Sequence, residues 1–227
     1  RSTYETAGAA PEALFVAVER VPDAMVIAME RAKAMGLENV RFLDADVADL
    51  RDYFAPDEVE RIYINFCDPW PTNRHAKRRL THPDFLERYR RVLRDGGEIH
   101  FKTDNRNLFE WSLFQFPKAD FALEEVTRNL HAGGIRGVMT DYEEKFHRQG
   151  VPINRCVGVK LHRDREPDLA PRSRGAQRGG GMRLISCKSL AEFRRRQRTE
   201  GRGICFFPRH VRRKKNPSAP QPAGKGR

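Results

Sequence analysis

The chain alternates short apolar segments with amphipathic ones. Residues 13–18, 40–43 and 62–66 are apolar runs of strand length, and residues 98–103 alternate apolar and polar positions. Each is bounded by polar or turn-forming residues, which reads as a buried strand. Between them the period changes to that of a helix. From Pro22-Asp23 to about Met35, the residues Ala24, Ile27, Ala28, Arg31 and Ala32 recur at helical spacing, and Gly36 supplies a left-handed stop. Thr81-His82-Pro83-Asp84 reads as a helix start with Thr81 as N-cap, followed by Phe85, Leu86, Tyr89, Val92 and Leu93 on one face. Asp95-Gly96-Gly97 is expected to end that helix. A further helix is predicted over residues 108–116, and late strands over 122–126 and 153–161. The segment between those strands, with Gly133-Gly134 and residues 139–143, reads as a loop. The polar stretch after the second strand has room for one short helix.

This order predicts an α/β fold: a doubly wound, mostly parallel sheet with helices on both faces. In such sheets ligands bind beyond the carboxyl ends of the strands. An acid follows each of the first four strands: Glu19, Asp46, Asp68 and Asp104. In doubly wound sheets an acid at the end of the second strand accepts from ribose hydroxyls, which is the functional reading of Glu19. Asp46 suits an adenine amine or a nearby backbone group. Acids are also common in the loops after strands, and for Asp44 and Asp49 a polar loop accounts for them equally well.

Charge divides the chain of 227 residues in two. The net charge is +12 overall, yet residues 161–227 carry 19 Lys+Arg against 5 Asp+Glu, while the first 160 carry 24 against 26. A near-neutral domain over residues 1–162 therefore precedes a basic tail over 163–227. Gly, Ser and Arg over 172–181 read as a linker. Ser189 would cap a basic helix over 189–199, Ile204 to Phe207 form a short apolar run, and the rest is expected to be disordered. Such a tail favours polyanions, nucleic acid first, or is a solvated extension. The cysteines, Cys67, Cys156, Cys187 and Cys205, form no C-x-x-C pair, so neither a zinc ribbon nor a redox motif is expected. No metal site is predicted. No apolar run approaches the roughly 20 residues of a membrane span, and no secretory signal is visible, so a cytoplasmic protein is expected.

The densest chemistry lies in NFCDPWPTNRHAKRRLTH, residues 65–82. Two prolines, Pro69 and Pro71, forbid continuation of the preceding strand, so the chain turns and presents its polar groups. Arg74, Lys77, Arg78 and Arg79 follow within six residues. A carboxylate and an indole at a strand end, backed by cations, can hold a base and its phosphates. Trp70 is equally suited to stacking and to filling the sheet edge. His75, His82 and His131 have no metal-ligand grouping.

With NFCDPWPTNRHAKRRLTHPDFL, GGEIHFKTDN, LFEWSL and MTDYEEKF in hand, residues 11–161 closely resemble the bacterial tRNA (guanine-N7-)-methyltransferases. The resemblance implies a class I, Rossmann-like methyltransferase fold, the cofactor S-adenosyl-L-methionine, and methylation of N7 of a guanine in the tRNA variable loop. It implies that Glu19, Asp46 and Asp68 bind the cofactor and that Asp68 also serves catalysis. Arg74, His75, Ala76, Lys77, Arg78 and Arg79 match the RNA-contacting loop. Asp104, Thr140, Asp141, Tyr142 and Glu143 match substrate-holding positions, as does Thr72, where the family commonly has Lys. The family's first strand and glycine-rich loop should precede Ala13. Residues 1–12 hold only Gly8, so the first strand and its loop are expected to be missing, as in an N-terminally truncated chain. The tail after about Arg163 has no matching counterpart.

Two rival readings stay open. Asp68-Pro-Trp-Pro is similar to the turn of enzymes that methylate exocyclic amines, and a chain without the glycine loop could be a non-catalytic RNA binder. Cys67 precedes Asp-Pro and does not follow Pro, unlike a cytosine-C5 nucleophile; a buried thiol is its expected role.

Overall fold

A computed structural model describes residues 2–19, 22–137, 139, 141–163 and 202–206. Helix α1 (Ser2–Ala9) leads into β1 (Leu14–Glu19), α2 (Pro22–Ala34), β2 (Val40–Asp44), the one-turn α3 (Leu50–Tyr53) and β3 (Val59–Asn65). There follow α4 (Pro83–Val92), β4 (Leu93–Thr103), α5 (Arg106–Lys118), β5 (Phe121–Thr127), α6 (Asp141–Arg148), β6 (Asn154–Lys160) and β7 (Arg202–Phe206). The strands form one seven-stranded sheet in the order β2-β1-β7-β3-β4-β6-β5. All neighbours from β2 to β4 are parallel, and β6 runs antiparallel to both β4 and β5. The doubly wound, mostly parallel sheet expected from the alternation is thus present.

Its core is where the apolar runs meet the amphipathic helices. Ile62, Ile64, Ile99 and Phe101 of the central strands are fully buried against Leu86 and Tyr89 of α4 and against Phe109 and Phe116 of α5. Gly158 on β6 lets α5 approach closely: a Cβ there would lie 2.5 Å from the ring of Phe116.

Several expectations are corrected. The opening residues, for which no element was predicted, form α1. Ala7 packs with Phe15 and Val40, and the Asn39 amide donates to the carbonyls of Ala7, Ala10 and Ala13 at 2.9, 3.0 and 3.0 Å. The N-cap of α4 is His82, whose Nδ1 accepts from the Asp84 N–H at 3.2 Å. Thr81 is instead fully buried, its hydroxyl 2.7 Å from that of Ser112. Asp95-Gly96-Gly97 does not end the helix. It lies inside β4, where Gly96 has φ +68° and the register against β3 shifts. The segment read as a loop at 139–143 contains the start of α6.

The largest correction concerns the tail. Five of its residues, Arg202–Phe206, form β7 in the middle of the sheet, parallel to both β1 and β3. Ile204 pairs with Val16 on one side and Ile62 on the other. An apolar run of strand length from the basic segment thereby occupies the position between β1 and β3, where a first strand was expected to be missing. The helix predicted over 189–199 lies outside the described residues. No described helix is long and apolar enough to cross a membrane.

Candidate active site

A cavity of about 390 Å³ opens at the carboxyl edge of β1, β2 and β3. That is the place a doubly wound sheet reserves for ligands, and the size falls in the range of small-molecule sites. Glu19, at the end of β1, is 5% exposed and lines it. Asp46 lines it from the loop after β2, where its Oδ1 also accepts from the Ala48 N–H at 2.9 Å and caps a short 3₁₀ turn. Asp68 lines it from the turn after β3. Three carboxylates drawn from separate stretches of sequence thus border one space, as expected. The rest of the lining includes the apolar Val18, Ala45, Leu80 and Phe85 together with Trp70, Lys77 and Arg78.

The turn that carries Asp68 is bracketed by unusual backbone. Phe66 has φ +53° and Trp70 φ +42°, both in the left-handed region that costs a bulky residue about 1 to 3 kcal/mol. Prolines at 69 and 71 leave the turn without two N–H donors for closing it internally. The cations then follow as a 3₁₀ helix, Asn73–Arg78. Arg74, Lys77 and Arg78 are exposed, and His75 and Ala76 half-buried. The Arg78 guanidinium lies 4.9 Å from the centroid of the Trp70 ring, and His75 meets that ring edge-on at 5.7 Å. Thr72 is exposed, its hydroxyl 3.0 Å from His75 Nδ1. Arg79 departs from the phosphate-facing role expected of it. It is 6% exposed because its guanidinium turns inward to the carbonyls of Pro69 and Trp70.

Cys67 also lines the cavity. Burial, and then the charge of Asp68, push its thiol up to about 12. A thiol held protonated is a poor nucleophile, which disfavours cytosine-C5 chemistry at this position.

The predicted substrate residues split into two groups. Asp104 is half-buried just beyond β4 and close enough to Cys67 to raise its pKa further. Glu143, on α6, is fully buried; its carboxylate accepts from Lys102 Nζ at 3.1 and 3.3 Å and lies 2.9 Å from His131 Nε2. Glu143 therefore faces protein groups and fastens α6 to the end of β4. Lys102 and His131 were not singled out as its partners from sequence, because they lie 41 and 12 residues away along the chain. Asp141 and Tyr142 begin α6, and Thr140 lies outside the described residues. No cluster of three or more His, Cys, Asp or Glu able to hold a metal ion occurs among the described residues.

The cavity suits an adenosyl sulfonium. Apolar walls accept a flat base, a buried carboxylate accepts from ribose hydroxyls, and further carboxylates complement a positive sulfur. Among the described lining residues there is no glycine.

Comparison with known proteins agrees with this reading. Residues 1–156 match a family model described as "Putative methyltransferase". The chain is 52% identical over 147 residues to the tRNA (guanine-N(7)-)-methyltransferase of Halalkalibacterium halodurans, covering 64% of this chain and 67% of that protein. It is 48% identical over 151 residues to the enzyme of the same name from Clostridioides difficile, covering 66% and 71%. Among solved structures, the 16S rRNA methyltransferase KamB shares the fold, with a TM-score of 0.51 at 16% identity over 71% of this chain and 83% of that one. By its sequence the chain belongs to the tRNA (guanine-N(7)-)-methyltransferase family.

Proposed function

We propose that this protein transfers the methyl group of S-adenosyl-L-methionine to N7 of a guanine in the variable loop of tRNA. The observation that carries the proposal is the convergence of Glu19, Asp46 and Asp68 on one cavity whose rim holds Lys77 and Arg78. Glu19, Asp46 and Asp68 would hold the cofactor, which supplies an electrophilic methyl group.

Guanine N7 carries a free lone pair, so the base needs no deprotonation. The purine instead gains positive charge as the bond forms. A carboxylate already in place stabilises that charge and fixes the approach of the ring, and this is the role of Asp68. Asp104 accepts from the N1–H or the exocyclic amine of guanine, groups that adenine does not present in the same arrangement. Trp70 offers a stacking face beside Asp68. Arg74, Lys77 and Arg78 neutralise phosphates, with His75, Ala76 and Thr72 in the same contact surface. Thr140, Asp141 and Tyr142 supply further substrate contacts from the segment that Glu143 anchors. A tRNA substrate supports a cytoplasmic location.

The test incubates purified protein with unmodified tRNA and S-adenosyl-L-methionine and digests the RNA to nucleosides. Mass spectrometry is expected to find 7-methylguanosine in the variable loop, and Asp68→Ala is expected to abolish it while tRNA binding persists. One competitor is an RNA binder without catalysis. Titration calorimetry separates the two. Salt-sensitive tRNA binding with no heat from S-adenosyl-L-methionine would establish the binder.

A further inference from the structure

We propose that Arg79 is a positioning residue for the turn that carries Asp68, and that Arg78 beside it meets the RNA. The proposal rests on the methyltransferase reading above for its kinetic consequences, though not for its geometry.

Arg79 Nε donates to the carbonyls of Pro69 and Trp70, both at 3.2 Å, and Nη2 donates to Trp70 O at 2.9 Å. Its guanidinium carbon lies 4.5 Å from the centroid of the Trp111 ring, on α5. Trp111 in turn stacks with His82, the cap of α4, at 6.3 Å between centroids and 23° between planes. One side chain thereby ties a turn in the loop to the middle of α5 and, through Trp111, to the start of α4.

The turn needs an outside tie. Pro69 and Pro71 have no N–H to donate, and Trp70 sits in a left-handed conformation that only surrounding structure can maintain. Arg79 grips the carbonyl of that same Trp70. Asp68 is two residues away, and Asp68 and Trp70 both border the cavity. Moving the turn therefore moves the carboxylate and the indole together.

Only arginine meets this requirement. Its planar fork donates in two directions while its face lies on an indole, whereas a lysine ammonium offers a point charge and no stacking face. Its neighbour has the opposite surroundings: Arg78 is exposed, lies over the outer ring of the turn, and has its charge available to a polyanion.

The experiment compares Arg79→Lys, Trp111→Phe and Arg78→Ala with the parent chain. Each is assayed for tRNA affinity across a salt series, turnover at saturating tRNA, and melting temperature. Arg78→Ala is expected to weaken binding and lower the slope of log affinity on log salt by about one. Arg79→Lys is expected to leave the slope unchanged and lower turnover at saturation by about 10- to 100-fold, the cost of a misplaced reacting group. Trp111→Phe keeps an aromatic face and the buried guanidinium, and is expected to show a smaller loss of the same kind. It serves as the deciding variant if Arg79→Lys does not fold. Arg79→Gln, assayed alongside, removes the charge; a salt slope reduced in it as in Arg78→Ala, with turnover retained, overturns the proposal. If the parent chain forms no 7-methylguanosine, the functional reading fails. In that event the salt slopes still decide whether Arg79 touches phosphate.

Discussion

At position 67 a thiol borders the same cavity as the proposed reacting carboxylate, and its chemistry is set by its surroundings. Burial raises its pKa and the neighbouring Asp68 raises it further, to about 12, so at neutral pH it is a protonated, space-filling group. Cys67→Ala is therefore expected to keep most of the methyl-transfer rate, whereas Asp68→Asn should lose about 10²- to 10³-fold, the usual cost of removing a charge-stabilising group. Initial rates at saturating tRNA distinguish the two, and a dead Cys67→Ala enzyme would restore the nucleophile reading. His82 makes a second residue-scale case. Its cap requires an unprotonated Nδ1. Burial lowers its pKa below 6.5, against the raising pull of Asp84 and with help from Lys77 and Arg79. A group whose folded pKa is depressed contributes stability that is complete above the unfolded value, here 6.5, and is lost as pH falls through the lower folded value. Melting temperature followed from pH 7.5 to 5 should drop less in His82→Asn, whose amide caps at every pH, than in the parent. Asp68 was legible in the sequence because a strand followed by Asp-Pro can only turn there. Arg79 was not legible, since in a run of cations nothing along the chain marks the one that points inward. The choice of His82 over Thr81 as cap was hidden for the same reason: both are competent, and burial of Thr81 against Ser112 decides.

Elements with a sustained apolar pattern were readable, and short ones with few apolar positions were not. Helices α2, α4 and α5 and the first six strands lie where the apolar spacing puts them, within a few residues at each end except that β4 begins at Leu93, ahead of the predicted 98. In helix α6, Asp141–Arg148, Phe146 packs on the cluster of Phe66, Leu130 and Ile153, with its ring 6.0 Å from that of Phe66. Glu143 between Lys102 and His131, and His147 with its ring 5.4 Å from that of His131, fasten it further. Tyr142 and Phe146 are the two apolar positions in its eight residues, too few to mark a helix beside the polar loop before it, so it read as loop. The contact between α5 and the sheet hides another requirement. Gly158 pairs with Ile99 and Leu123 across β6, and its missing side chain admits Phe116, which is fully buried. A methyl group at 158 would meet the Phe116 ring at 2.5 Å, and that ring is packed on all sides. Gly158→Ala is therefore expected to destabilise the fold by about 1 to 3 kcal/mol, the range for overpacking a well-filled core. The urea midpoint measures this, and an unchanged midpoint would mean that α5 can shift outward at little cost.

For the whole molecule the decisive feature is where the apolar run at 204 goes. Composition placed it in a separate basic tail, because the nineteen cations around it outweigh five residues of strand in any average. Only the pairing partners reveal its place, and those lie some 140 to 190 residues earlier in the chain. In the sheet order, β1 and β2 meet the remaining strands through β7 alone. Glu19 ends β1 and Asp68 follows β3, so the strand between them sets the width of the cavity, two inter-strand spacings or about 10 Å. Folding stability and the proposed cofactor site therefore depend on the same five residues. Proline at 204 tests this dependence, since it removes a ladder donor from an interior strand and costs about 3 kcal/mol or more. Ile204→Pro is expected to lower the melting temperature and to weaken S-adenosyl-L-methionine binding in calorimetry, while Ile204→Val, which keeps the strand, changes both little. If the proline variant melts and binds as the parent does, the sheet holds its two halves together without Arg202–Phe206.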